Sequence, residues 1–252
     1  MESNDFKGDL KKILPKKIIR EEENDKVGAF FVVLGLIFND LKDLVIFEQL
    51  MVSNYRKPKA SECSDHAGNY GGIMIHINRL FAGIINEFFN FLKKNNNVLE
   101  EAEFKNVLER LPEEEKNMWN GMVAAASGEL PKASEFINTL IRIRANFTYH
   151  YYQSGKVLRK GFISRFYNEE IDDRNKSAYY SIGESLNTTR FYFSDAAVEE
   201  ALFLETGKTE KSNFVGDVSV EKYKLAMGST IQIIQRIIML LMKNFLQVRR
   251  NG

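Results

Sequence analysis

Cysteine is nearly missing from this chain: Cys63 is the only one in 252 residues. A lone thiol excludes an intrachain disulfide framework and suits a reducing cytoplasm. Proline is scarce as well, with four, and turn clusters are few, which favours long helices over a many-stranded sandwich. Charge of one sign is not in excess. The 35 Lys and Arg against 34 Asp and Glu leave a formal net charge of +1, so any polyanion has to meet a local basic patch. MESNDFKGDLKK at the start lacks the apolar stretch of a signal peptide. The longest apolar run, Val27 to Phe38, is too short and too interrupted by glycine to span a bilayer, and Ile237 to Met242 is shorter still. Both read as buried core helices, so a cytoplasmic protein with no membrane partner is expected. No internal repeat, glycine-rich phosphate loop, G-x-S-x-G or H-E-x-x-H motif is found. Cys63 and His66 have the spacing of half a zinc site, but a second Cys pair is missing, so neither metal nor cofactor is expected.

What is present is the composition of a folded protein, 44% hydrophobic and 27% charged. The length allows one large helical domain or two small ones. The periodicity predicts an all-α bundle of long antiparallel helices with short accessory helices, five to seven by segment. Residues 1–24 read as a charged arm broken by Pro15, and residues 25–252 as a single helical domain. In the arm, Lys11, Lys12, Lys16, Lys17 and Arg20 suit a solvated arm or short helix in preference to an anion contact. A long helix is predicted over Asp25–Arg56, with Phe31, Leu34, Phe38, Leu41, Val45 and Leu50 near helical spacing. A mobile loop over Arg56–Gly72 follows, rich in Gly, Ser and charge.

The next helix is predicted over Ile73–Lys94, with His76, Arg79, Asn86, Glu87 and Asn90 beside its apolar face, as a solvated side in preference to a contribution to a site. Amphipathic pieces follow at Val98–Leu111 and Pro112–Ser127, the second with Glu113, Glu114 and Glu115 at the positive end of its dipole. Residues 170–193 are the least regular, Phe191–Phe193 suiting a short strand or a packing plug, and Ser194 caps a helix over Asp195–Glu205. A last long helix, Ser219–Val248, points Leu225, Ile231, Ile234, Ile238, Leu241, Phe245 and Leu246 inward.

The stretch with most chemistry is Pro131–Tyr152, PKASEFINTLIRIRANFTYHYY. At helical spacing Ile137, Leu140, Phe147 and Tyr151 form a stripe, and Arg144 falls on it with His150 about one turn beyond Phe147. A charge on an apolar stripe is either paired in a dry core or turned to a cleft, because an unpaired buried charge is very costly. Both accounts stay open at this point. After a turn predicted at Ser154-Gly155, Lys156, Arg159, Lys160 and Arg165 alternate with Phe162, Phe166 and Tyr167. Cations for phosphates and rings for bases suit single-stranded RNA; an amphipathic helix with its aromatics inside and its lysines solvated is the other account.

IRIRANFTYHYY resembles the R-x4-6-H motif of the HEPN superfamily (higher eukaryotes and prokaryotes nucleotide-binding domain), most closely its poorly characterised bacterial members. By position Arg144 matches the motif arginine and His150 the motif histidine. Asn146 stands near the polar residue often found after the arginine, although Ala145 occupies the directly following place. The resemblance implies a metal-independent endoribonuclease working in a cleft between two protomers, hence a homodimer. It also implies a setting such as a toxin with its antitoxin or another protein partner, or phage defence. In chemical terms the 2′-hydroxyl of RNA is the nucleophile. A histidine moves its proton, and an arginine forks onto the phosphate oxygens as charge gathers there. Neither role needs a metal. A catalytically silent module binding RNA, nucleotide or protein, and a purely structural bundle, are the alternative expectations.

Overall fold

Apolar residues recurring every three or four positions become nine α-helices among the described residues. In the computed structural model these are residues 11–20, 24–59, 62, 64–148, 151–167, 177–184, 189–205 and 218–251. A 3₁₀ turn at Pro15–Lys17 precedes α1 (Lys26–Asn54), α2 (Asp65–Lys94), α3 (Asn96–Leu99), α4 (Ala102–Glu109) and α5 (Glu113–Ser127). Then come α6 (Pro131–Ile143), a π-helical turn (Arg144–Thr148), α7 (Tyr151–Phe166), α8 (Tyr192–Glu205) and α9 (Val218–Asn251). The only extended pairing among the described residues is an isolated antiparallel bridge between Ser181 and Arg190. The all-α expectation therefore holds. The helix number exceeds the expected five to seven, in part because the Val98–Leu111 region divides into α3 and α4.

The core forms where aromatic rings from distant helices meet. Phe31 of α1 stacks on Phe245 of α9 with centroids 4.1 Å apart, Phe30 stacks on Phe91 of α2 at 4.6 Å, and Phe104 of α4 meets Trp119 of α5 at 5.7 Å. Rings in such offset and edge contacts add stabilisation beyond their buried area. The ring pair Phe31–Phe245 and the approach of Gly35 to Met242 show that α1 and α9 run antiparallel. Ile231, Ile234, Ile238, Leu241 and Phe245 are buried as expected, whereas Leu225 and Leu50 are exposed. Both face outward at levels where Met51 and Met227 are the buried residues. By length and composition, α9 between Leu225 and Arg250 is apolar enough to cross a membrane. Its inner side here fills the core.

Where α1 begins and α9 ends, the fold buries charge. Asp25 caps α1 by accepting from Gly28 N–H at 2.8 Å, and also accepts from Arg20 N–H at 3.0 Å. The Arg249 guanidinium then forks onto both Asp25 oxygens at 2.7 and 2.8 Å and onto Glu103 of α4, with its face over the Phe245 ring. Arg249 is 3% exposed. The described part of the N-terminal arm is largely exposed, as expected, but it is tied to the end of α9. Lys17 Nζ donates to Arg250 O, Arg250 donates back to Lys12 O, and Ile18 packs on the core.

The loop expected over Arg56–Gly72 is shorter than its composition suggested. Ser64 accepts from Ala67 N–H at 3.2 Å and starts α2 at Asp65, so His66 to Gly72 are helical. The glycines that read as loop residues are there for close approach. A Cβ on Gly68 would stand 2.2 Å from the Tyr192 ring and one on Gly72 would stand 1.7 Å from Arg190 Nη2. His66, read as half of a zinc site, has its Nε2 at 2.9 Å from Arg56 O; Cys63 lies outside the described residues. Asn86, expected on the solvated side of α2, is buried at 1% exposure. Packing on several sides of α2, by α1, α5, α6, α8 and α9, leaves no continuous solvated face there.

The turn expected at Ser154-Gly155 is absent, since α7 runs unbroken through both residues. Val157 and Leu158 pack on the core, and tertiary burial outweighs a weak turn signal. The FYF segment is neither strand nor plug: α8 starts at Tyr192, before the expected Ser194 cap. α7 and α8 cross closely at Gly161, where an added Cβ would lie 2.3 Å from Ala197 O and 2.8 Å from Ala201 Cβ. Gly161→Ala should therefore destabilise the fold. The gain of roughly 0.5–1 kcal/mol in helix propensity is smaller than the roughly 1–3 kcal/mol of overpacking against backbone that cannot swing aside. Urea denaturation would measure the sign, and a stabilised variant would disprove the tight crossing.

Candidate functional site

The helix carrying Arg144 is not one continuous α-helix. α6 buries Thr139, Leu140 and Ile143, and at the next residue the hydrogen bonding widens into the π turn Arg144–Thr148. Such a turn inserts a residue into the helical repeat and re-aims the side chains on it, and it occurs often at functional sites. Arg144 itself keeps α-helical dihedrals and donates its N–H to Leu140 O, so it stays one turn beyond Leu140 and the widening acts on the residues that follow. Its side chain is 36% exposed, and its Nε lies 2.7 Å from Oε1 of Glu87, itself 53% exposed on α2. This arrangement matches neither sequence account in full: Arg144 has a carboxylate partner, but outside the dry core. Partly solvated pairs of this kind contribute about 0–1 kcal/mol, so an incoming anion can compete for the guanidinium.

The π turn packs against α2, α6 and α7. Asn146 is half-buried on it. His150, together with Tyr149, lies outside the described residues. On α7, Lys156, Arg159 and Lys160 are exposed. Arg165 is not part of that face. It is half-buried, and desolvation pushes its pKa down while Glu199 and Glu200 of α8 push it up. Ser164 donates to Glu200 in the same seam at 2.7 Å. Of the interleaved aromatics, Phe162 and Phe166 pack on each other at 4.6 Å, while Tyr167 is 73% exposed.

A second polar constellation sits where α2 meets the segment entering α8. Arg190, fixed by the paired backbone bonds with Ser181 at 2.8 and 2.9 Å, lays its guanidinium against Gly72. Its Nε donates to Asp195 at 2.8 Å. Tyr192 OH donates to Asp65 Oδ1 at 2.7 Å. His76 lies one turn beyond Gly72 and Arg79 three residues further. The His76 pKa is lowered by desolvation first, then by Arg79 and Arg190, with Asp195 opposing. The imidazole is therefore held neutral. The sequence marked His76 and Arg79 as neighbours; Arg190 and Asp195 come from its least regular region, and no local signal tied them to α2.

A groove of about 560 Å³ opens elsewhere, between the 3₁₀ turn, α4 and the end of α9, lined by Lys16, Lys17, Arg20, Glu103, Asn106 and Arg249 among others. It shares no element with Arg144. Compared with known protein families, curated proteins and solved structures, the chain matches none. The fold is an all-α helical bundle, and the ion pairs of Arg144 and Arg190 both lie against α2.

Proposed function

We propose that this protein is a metal-independent endoribonuclease that cleaves single-stranded RNA, with Arg144 on the phosphate and His150 as the proton-transfer group. The setting is the cytoplasm, in a toxin or phage-defence role with an antitoxin or similar protein partner. The observation that carries this reading is the state of Arg144: a half-exposed guanidinium on a π turn whose charge is paired with an exposed, exchangeable carboxylate. A phosphodiester offers the same forked oxygen geometry as Glu87 with closer charge matching. Exposed Lys156, Arg159 and Lys160 on the adjoining helix supply the strand's backbone contacts, and Asn146 on the π turn is a further binding residue. Those cations and the exposed Tyr167 also favour a second reading, an RNA-binding module without cleavage.

The test is cleavage of single-stranded RNA by purified protein with chelator present, with products analysed for a 2′,3′-cyclic phosphate end. Cutting that requires an added divalent ion, or binding without any cutting, would reject the nuclease reading; binding alone would favour the module. The protein is further proposed to be a homodimer. Val32, Val33 and Leu36 on α1 and Met239 on α9 are exposed apolar side chains, a surface of the kind that a two-fold contact buries on both copies. Light scattering at micromolar concentration should give twice the 29.1 kDa chain mass, and a monomer would end this part of the proposal.

A further inference from the structure

We propose that the outer face of the Ser181–Arg190 bridge is a base-stacking surface for single-stranded nucleic acid, built from Tyr180, Ile182 and Phe191. It rests on the RNA-binding reading above and not on cleavage.

The surface follows from the register of the bridge. Ser181 and Arg190 exchange backbone hydrogen bonds at 2.8 and 2.9 Å, and Phe193 N–H donates to Tyr179 O at 3.0 Å. The neighbouring opposed residues are then Tyr180 and Phe191, whose side chains stand on the other side of the two segments from Ser181 and Arg190. Ile182 shares that side with Tyr180. The inner side is occupied: Arg190 lies against Gly72 and donates to Asp195, and Ser181 Oγ meets Tyr192 OH at 3.5 Å. The outer side is open, with Tyr180 62%, Ile182 72% and Phe191 49% exposed. Gly183 N–H donates to Thr189 Oγ1 at 3.1 Å, which holds the Ile182 end in place. Large apolar side chains grouped on a clamped pair of segments, instead of scattered singly, mark a binding surface.

Charge decides the occupant. Arg144 lies beside Glu87, whereas Gly161 lies against Ala197 and Ala201, and α8 starts beside Gly68 and Gly72. α7 therefore runs towards the start of α2, antiparallel to α8, and finishes at the end of the bundle where the bridge sits. Along α7, Lys156, Lys160, Ile163 and Tyr167 are exposed at helical spacing, with Arg159 beside them. Neither Asp nor Glu occurs in α7. A polyanion laid along this stripe meets only cations and then, at Tyr167, the first exposed ring. A single strand makes both demands at once: its phosphates want cations and its unpaired bases offer faces to rings. Glu184 is the one carboxylate of residues 177–184 and stands beyond Ile182, which sets the far limit of the surface. A second copy of this chain, with a net charge of +1, could cover the rings but brings no excess of carboxylates to the α7 stripe.

The experiment is fluorescence anisotropy on the full chain with a labelled oligothymidylate, whose 2′-deoxy sugars prevent cleavage, and with an abasic strand of equal length. The oligothymidylate should bind saturably and the abasic strand at least about tenfold more weakly, the scale of a lost base stack. Tyr180→Ala and Phe191→Ala should each weaken oligothymidylate binding about tenfold, while leaving the abasic strand and the salt dependence unchanged. Tyr180→Phe keeps the ring and should bind like the wild type. Lys160→Gln should do the opposite of the ring variants, weakening both strands and reducing the slope of log K against log salt by about 0.7. Alanine variants that bind the oligothymidylate as tightly as the wild type overturn the stacking surface and leave the RNA reading standing. No binding by the wild type up to about 100 µM, the weak end of non-specific affinity, overturns both. Alanine variants that turn a dimer into a monomer in light scattering assign the face to a second copy and also overturn the proposal.

Discussion

Arg249→Met is expected to be the most destabilising single change in this protein, by about 3–5 kcal/mol, as read by urea unfolding. The guanidinium is nearly solvent-free and holds Asp25, whose side chain is 4% exposed, through two bonds and Glu103 through two more. Removing it leaves a buried carboxylate with no counter-charge, and the loss is a large part of the roughly 5–15 kcal/mol that holds most domains folded. Adding Asp25→Asn should recover much of the loss, because the amide oxygen can still cap α1 while the orphan charge disappears. A single variant as stable as the wild type would show that the cluster contributes nothing. Acid should act through the same group. Hydrogen bonds from Arg249 hold the Asp25 carboxyl far below the ordinary range, with the Gly28 and Arg20 amides assisting against desolvation. The folded-state pKa is therefore the lower one. Its stabilisation is complete above the unfolded value of about 3.9 and is lost as pH falls below it. The Asp25→Asn/Arg249→Met protein should lose stability less steeply across that acid window.

The second large effect concerns activity. With RNA cleavage established in the wild type, His150→Ala should lose about a hundredfold or more in rate, the scale of a positioned acid or base. Arg144→Lys should also be poor, since a point charge cannot reproduce the planar fork. Glu87→Gln is the discriminating variant. Its carboxylate is the group that phosphate has to displace from Arg144, so its loss should tighten RNA binding rather than weaken it. Far-ultraviolet circular dichroism would confirm that each variant is folded, which matters because the π turn packs on three helices. Well-folded alanine variants at both positions cleaving at the wild-type rate would end the assignment. A Glu87→Gln protein with weaker RNA binding would place the carboxylate in the site itself.

Periodicity made the architecture legible. The long helices α1 and α9, the acidic start of α5 and the buried positions Phe31, Leu34, Ile234, Leu241 and Phe245 all follow from apolar spacing, because a helix buries one stripe whatever it packs against. The exposed cations of α7 were legible for the same reason: lysine and arginine heads stay in water unless paired. The arginine on the apolar stripe was visible as an anomaly. Its resolution was not, since whether a charge is buried or turned outward depends on hydrogen bonding three to five residues away and on which helix lies opposite.

What the sequence determined by itself, then, is the helical class, the inward stripes and Arg144 as the residue out of place. Tertiary structure alone decided the rest. It turned the Gly68 and Gly72 loop signals into close helix contacts, buried Asn86 within a surrounded helix, and paired Arg144 with Glu87 at the start of a π turn. It also joined residues 25, 103 and 249 into one buried ion cluster and set Arg190 against Gly72. The physical reason is range. Backbone periodicity and capping act over one or two turns, so they are written locally. Charge pairing and close packing join residues more than a hundred positions apart, and nothing local marks which of many carboxylates or glycines will meet which arginine.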